Sequence, residues 1–127
     1  MVRVLVVEDE IHYRENLDYC LTDEGYDVAT AHNGQSAIEV AARFRPQILI
    51  ADWMLHNSLT GLDVFRMIRK SLPGLETILI TGFPSDGLRA DAKESQVFEI
   101  FEKPFDLDDL LLAVRFAAKA HEDQPGA

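Results

Sequence analysis

Residues 47–52 read Gln-Ile-Leu-Ile-Ala-Asp, a short apolar run that stops at a carboxylate. Consecutive apolar residues without alternation suit a strand buried on both faces, as in the middle of a parallel sheet. An aspartate directly after such a run is badly placed for mere solvation, which makes Asp52 a candidate for chemistry. Working outward, similar runs occupy 2–7, 28–31, 77–81 and 97–101, with 47–51 between them, and a longer amphipathic stretch follows each. That alternation predicts βα units, an α/β fold and one parallel sheet. Right-handed crossovers then put helices on both faces of the sheet, a doubly wound arrangement.

The intervening stretches have their own start and stop signals. Tyr13, Leu17, Cys20 and Leu21 fall at helical spacing before Gly25, which assigns Cys20 to the core and not to thiol chemistry. A second helix is predicted over 35–44, closed by Pro46, and a third over 62–71, closed by Pro73. Thr60 with Asp63 reads as the cap of the third. A polar fourth helix is expected over 85–95. The last, over 107–120, has an apolar stripe of Leu110, Leu111, Val114 and Ala117 or Ala118 after an acidic first turn of Asp106, Asp108 and Asp109. Residues 1–120 are therefore read as one domain and 121–127 as a flexible tail.

The chain has 127 residues, 47% of them hydrophobic and 27% charged, which suits a single folded domain with a real core. No second domain of ordinary size fits, so any effect is expected to be delivered by contact with a separate partner. Twelve Lys and Arg against 22 Asp and Glu give a formal charge of -10, which opposes the phosphate backbone of nucleic acids. No direct nucleic-acid partner is expected. Cys20 stands alone, which excludes an intrachain disulfide and a zinc spacing and accords with a reducing compartment. No apolar stretch has membrane-spanning length and the first residues lack a signal-peptide pattern, so no membrane contact and a cytoplasmic location are expected.

In parallel α/β sheets, ligands collect outside the carboxyl ends of the strands. Here the first strand ends in Val7-Glu8-Asp9-Glu10, the third in Ala51-Asp52 and the fourth in Thr81-Gly82, while the fifth runs into Glu102-Lys103-Pro104. Carboxylates gathered in one place repel unless a cation intervenes. Magnesium suits the set, since it keeps several waters and bridges a few protein oxygens to a phosphoryl group. With Lys103 as a second cation and Thr81 as a hydroxyl donor, these groups suit acceptance of a phosphoryl group by a carboxylate nucleophile. Singly, each has an ordinary explanation, Glu8 to Glu10 as a solvated loop or cap and Thr81 as a strand-end residue. Their joint order at four strand ends is what carries the functional reading.

In that order, the acidic pair Glu8 and Asp9, the acceptor Asp52, Thr81 and Lys103-Pro104 resemble the receiver domains of response regulators in two-component signalling. The resemblance covers the chain from Val2 to about Ala120. It implies a flavodoxin-like (βα)5 fold with strand order 2-1-3-4-5. It further implies that Asp52 takes a phosphoryl group from a histidine of a sensor kinase or a phosphotransfer protein. Mg2+ would be held by Asp9, Asp52 and the backbone carbonyl of Met54, with Glu8 acting through water. Lys103 would contact the phosphoryl group, and Thr81 would move to hydrogen-bond it. A cis peptide is implied between Lys103 and Pro104, and a signalling surface on the fourth helix, fifth strand and fifth helix.

Some positions depart from the family pattern. The loop after Asp52 has His56 where proline is common and one residue more before Gly61, which predicts an altered loop geometry. Ile100 replaces the usual aromatic switch residue, with Phe98 and Phe101 as neighbours that could compensate, and Gln96 replaces a glycine before the fifth strand, so that turn is expected to differ. Met54 and Phe83, two after the acceptor and two after the threonine, stand at positions that by the resemblance influence the lifetime of the acyl phosphate; both are apolar and cannot orient an attacking water, which predicts slow self-dephosphorylation. Two other readings stay open here: a receiver fold that signals without phosphorylation, and a Mg2+-dependent phosphatase. The aspartate-nucleophile phosphatases of haloacid dehalogenase type, however, want a second acid where this chain has Met54.

Overall fold

The computed structural model describes residues 1–55 and 59–124. Five strands, β1 (Arg3–Val7), β2 (Asp27–Ala31), β3 (Ile48–Asp52), β4 (Glu76–Thr81) and β5 (Glu99–Glu102), alternate with five helices. These are α1 (Ile11–Asp23), α2 (Gly34–Phe44), α3 (Gly61–Ser71), α4 (Asp86–Glu94) and α5 (Leu107–Glu122). The sheet has the order β2-β1-β3-β4-β5 with every pairing parallel. This is the flavodoxin-like doubly wound topology, and its four parallel registers bring the carboxyl ends of the strands to one edge.

Period-two alternation along the strands divides the core between two faces. On one, Leu5, Val7, Leu49, Ala51 and Leu79 pack with Ala37 and Ala41 of α2 and with Leu62, Phe65 and Ile68 of α3. On the other, Val4, Val6, Ile48, Ile50, Ile78 and Ile80 pack with Leu17 and Leu21 of α1 and with Leu110, Val114 and Ala117 of α5. Each helix starts on a side-chain acceptor: Glu10, Asn33, Thr60, Ser85 and Asp106. Thr60 and Asp63 form the reciprocal capping box that their spacing predicts.

Local boundaries move where tertiary contacts intervene. β5 begins at Glu99, not at 97, because the Val97 amide closes the α4 turn on the Ala92 carbonyl at 2.9 Å. Gln96 takes φ 64, the left-handed backbone that a glycine holds at no steric cost. A non-glycine residue there carries a strain of about 1 kcal/mol. α5 runs to Glu122, past the expected end at 120. His121 Nδ1 lies 2.8 Å from the Gly74 carbonyl oxygen, and Gln124 Nε2 donates to that same oxygen and, at 2.6 Å, to Glu76 Oε1. Residues 121–124 are thus docked, which corrects the expected flexible tail over that stretch; residues 125–127 lie outside the described residues. Cys20 is half-buried at the edge of α1, its Sγ 3.8 Å from Asn16 Oδ1, while Leu17 and Leu21 carry the core contact. Among the described residues, no helix is long and apolar enough to cross a membrane.

Candidate functional site at the carboxyl edge of the sheet

The parallel register places Glu8 just past β1, Asp52 at the last position of β3, Thr81 at the last of β4 and Lys103 just past β5. Glu8 is fully buried, Asp52 is 5% exposed and Thr81 is buried. Lys103 Nζ donates to Glu8 Oε2 at 2.9 Å and to Asp52 Oδ2 at 2.8 Å, so one ammonium bridges the two carboxylates. The remaining oxygens are held by backbone amides: Glu10 N–H donates to Glu8 Oε1 at 3.0 Å, and Met54 N–H to Asp52 Oδ1 at 3.0 Å. Oxygens of Glu8, Asp9 and Asp52 all lie within 4.8 Å of one another. Thr81 Oγ1 accepts the Phe83 N–H at 3.1 Å. The Lys103–Pro104 peptide is cis, as the resemblance implies.

Several neighbours build the site without being legible as part of it. Glu10 caps α1 through the His12 and Tyr13 amides, and Arg14 Nη1 donates to the Glu8 carbonyl at 2.8 Å, so the start of α1 is tied to the acidic pair. Gly61 N–H donates to the Trp53 carbonyl at 3.1 Å, and a Cβ on Gly61 would sit 2.4 Å from the Asp52 carbonyl oxygen. The β3–α3 loop is therefore anchored at both ends despite its extra residue. His56 lies outside the described residues. An acidic residue followed at once by a third carboxylate at a helix cap was the available signal for Glu10. Nothing local distinguishes Gly61 or Tyr13.

Burial pushes the Glu8 carboxyl up, to about 7, against the downward pull of the Lys103 hydrogen bond. Desolvation acts downward on Lys103, but its hydrogen bonds to Asp52 and Glu8 outweigh this and its net shift is upward. Three converging carboxylates against one ammonium leave a net negative, oxygen-only pocket. Hard divalent cations favour that donor chemistry, and the donor set fits such an ion.

Fold and site together define a phosphoacceptor receiver. Residues 4–115 match the family model of the response regulator receiver domain, and the chain belongs to that family. It is 36% identical over 114 residues to the response regulator MprA of Mycobacterium ulcerans, covering 90% of this chain and 49% of that protein. The chain thus spans about half the length of the curated relatives it matches. Among solved structures it resembles a signal receiver domain of an HD domain-containing protein from Pseudomonas fluorescens, with TM-score 0.90, 25% identity and 97% and 98% of the two chains covered. It also resembles the Vibrio cholerae chemotaxis protein CheY4, with TM-score 0.85, 26% identity and coverage of 92% and 98%.

Proposed function

We propose that Asp52 accepts a phosphoryl group from a phosphohistidine of a sensor histidine kinase or a histidine phosphotransfer protein. The bridging of buried Asp52 and Glu8 by Lys103 is the observation that carries this reading. Asp9, Asp52 and the Met54 carbonyl would hold Mg2+, with Glu8 acting through water; the carboxylates of Glu8, Asp9 and Asp52 lie close enough together to share one ion. When bound, the ion neutralises carboxylate charge and the charge that develops on the transferred group. Asp52 contributes the nucleophile: a bond forms from its Oδ to phosphorus as the P–N bond of the donor breaks, the electron pair leaving with the imidazole nitrogen. Lys103, already against Asp52, turns toward a phosphoryl oxygen. Thr81 is the gauge of that event, because its hydroxyl can leave the Phe83 N–H for the phosphoryl group and so release the start of the β4–α4 loop.

Ile100 stands where the family carries its aromatic switch, so coupling is assigned to the Thr81–Phe83 contact and α4, with Phe101 the neighbouring ring in β5 that could take over the role. The surface of α4, β5 and α5 is the proposed contact for a separate effector, with the kinase and the effector both met in the cytoplasm and no direct nucleic-acid or membrane partner. The phosphoryl group stays on the chain until water removes it, so the reading includes no turnover of substrate.

Incubation with Mg2+ and acetyl phosphate tests the reading by mass spectrometry. A gain of one phosphoryl group that vanishes in Asp52→Asn is expected. No gain in the wild-type chain would instead favour an interaction module that signals without phosphorylation. The apolar rim of the site makes a second expectation: Met54 is 58% and Phe83 80% exposed, and neither side chain can orient a water. The double variant Met54→Asn, Phe83→Glu should lose its phosphoryl group about 100-fold faster, the lower end of what one positioned proton acceptor supplies. Unchanged or slower loss would remove these side chains from any account of the lifetime.

A further inference from the structure

Tyr13 has no part in the chemistry above, yet its ring faces the lysine of the site, with Lys103 Nζ 4.2 Å from the ring centroid. An ammonium has three N–H donors, and two of them are committed to Glu8 and Asp52. The aromatic face attracts the cation without offering a localised acceptor that competes with those oxygens. The ring is itself held in place. Its backbone N–H donates to Glu10 Oε2 at 2.8 Å at the start of α1. Phe105, two residues beyond Lys103, packs against it at 5.9 Å between centroids with a 42° tilt, and Phe101 of β5 packs against Phe105 at 5.9 Å.

We infer that Tyr13 is a positioning residue for phosphoryl acceptance, holding the Lys103 ammonium over Asp52 through its π face. The inference rests on the phosphoacceptor reading of Asp52. A lysine stem has four flexible carbons, and without a backing surface its charge spreads over rotamers that point away from the acceptor. During transfer, Lys103 must exchange a carboxylate oxygen for a phosphoryl oxygen. A ring contact has little directional demand, so the ammonium re-aims over the ring without leaving it.

The test compares wild-type chain, Tyr13→Phe and Tyr13→Leu, with acetyl phosphate as donor; the Asp52 oxygen bonds phosphorus as the bond to acetate breaks and acetate leaves with the electron pair. Tyr13→Leu should be phosphorylated about three- to tenfold more slowly, the range a partly desolvated cation–π contact supplies. Tyr13→Phe should stay within about twofold of wild type, since it keeps the ring. Mg2+ affinity, read from the fluorescence of Trp53 beside Asp52, should be equal in wild type and Tyr13→Phe and tighter in Tyr13→Leu, where the ammonium competes less for the same oxygens. In the wild-type chain the Lys103 ε-methylene protons should resonate upfield of other lysines through the ring current, and return in Tyr13→Leu. Equal rates for Tyr13→Leu and wild type, or no upfield shift in the wild-type chain, would overturn the inference while leaving Asp52 as acceptor. Failure of the wild-type chain to gain a phosphoryl group would overturn the acceptor reading and this inference with it. The shift is measured on the wild-type chain, so a poorly folding Tyr13→Leu leaves it decisive.

Discussion

Lys103→Met should lower the metal-free stability by about 3 kcal/mol at pH 8, the usual result of removing one partner from a buried ion pair. For a domain of this size that is a fall of about 10 °C in melting temperature. The cause is the loss of the one ammonium that bridges Glu8 and Asp52. The effect has a definite pH dependence. In the wild-type fold Glu8 titrates near 7, above its ordinary 4.5, so between those values the folded state holds a proton that the unfolded chain has released. Metal-free stability therefore falls as pH rises through that window. Without Lys103 the carboxyls lose their counter-charge, and the deficit of the variant should be largest at pH 8 and shrink toward pH 5, where Glu8 is protonated. Mg2+ should bind the variant more tightly, because no lysine competes for the same oxygens, and should restore part of the melting temperature. Phosphorylation by acetyl phosphate should nevertheless fall about 100-fold, as when a donor to a developing oxyanion is removed. Equal melting of variant and wild type at both pH values would show that Lys103 does not hold these carboxylates together.

Gly61→Ala is expected to be comparably damaging for a steric reason. The new Cβ would lie 2.4 Å from the Asp52 carbonyl oxygen and 3.0 Å from its carbonyl carbon, atoms of a central strand that cannot move aside. Overpacking of this kind costs about 3 kcal/mol. The displaced backbone belongs to the proposed phosphoacceptor, so Mg2+ binding and phosphoryl acceptance should fail together with stability. Gly74→Ala is the matched control. There the Cβ meets Gln124 Oε1 at 3.1 Å and His121 Cε1 at 3.3 Å, the ends of side chains that can yield. Thermal melts of both, with and without Mg2+, check the contrast. A Gly61→Ala melting temperature within about 2 °C of wild type would mean that α3 and β3 can separate without penalty.

These two positions also show how unevenly the site can be read. Lys103 was legible because a lysine after the fifth strand of a parallel sheet must fall on the edge shared with Asp52. Gly61 was legible only as a landmark after an oddly long loop; its packing on the Asp52 carbonyl is a contact between backbones that carries no residue-type signature. Gln96 was legible only as a non-glycine residue before the fifth strand; that the closure of α4 onto β5 holds it at φ 64 was not. The docking of His121 and Gln124 on Gly74 was equally hidden, since a polar chain end has the composition of a loose tail until its partners are known.

The amino-acid sequence by itself determined the order of strands and helices, the Thr60–Asp63 cap of the third helix and the gathering of Glu8, Asp9, Asp52, Thr81 and Lys103 on one edge. Those features follow from short-range periodicity and from the rule that parallel strands end together. The tertiary structure alone decided that Lys103 is shared between Glu8 and Asp52, that Tyr13 lies beneath it, and that Gly61 abuts the Asp52 carbonyl. The physical reason is sequence separation: Lys103 lies 95 residues from Glu8 and 51 from Asp52, and a hydrogen bond made or missed across such a span turns on sub-ångström differences in how the helices seat on the sheet.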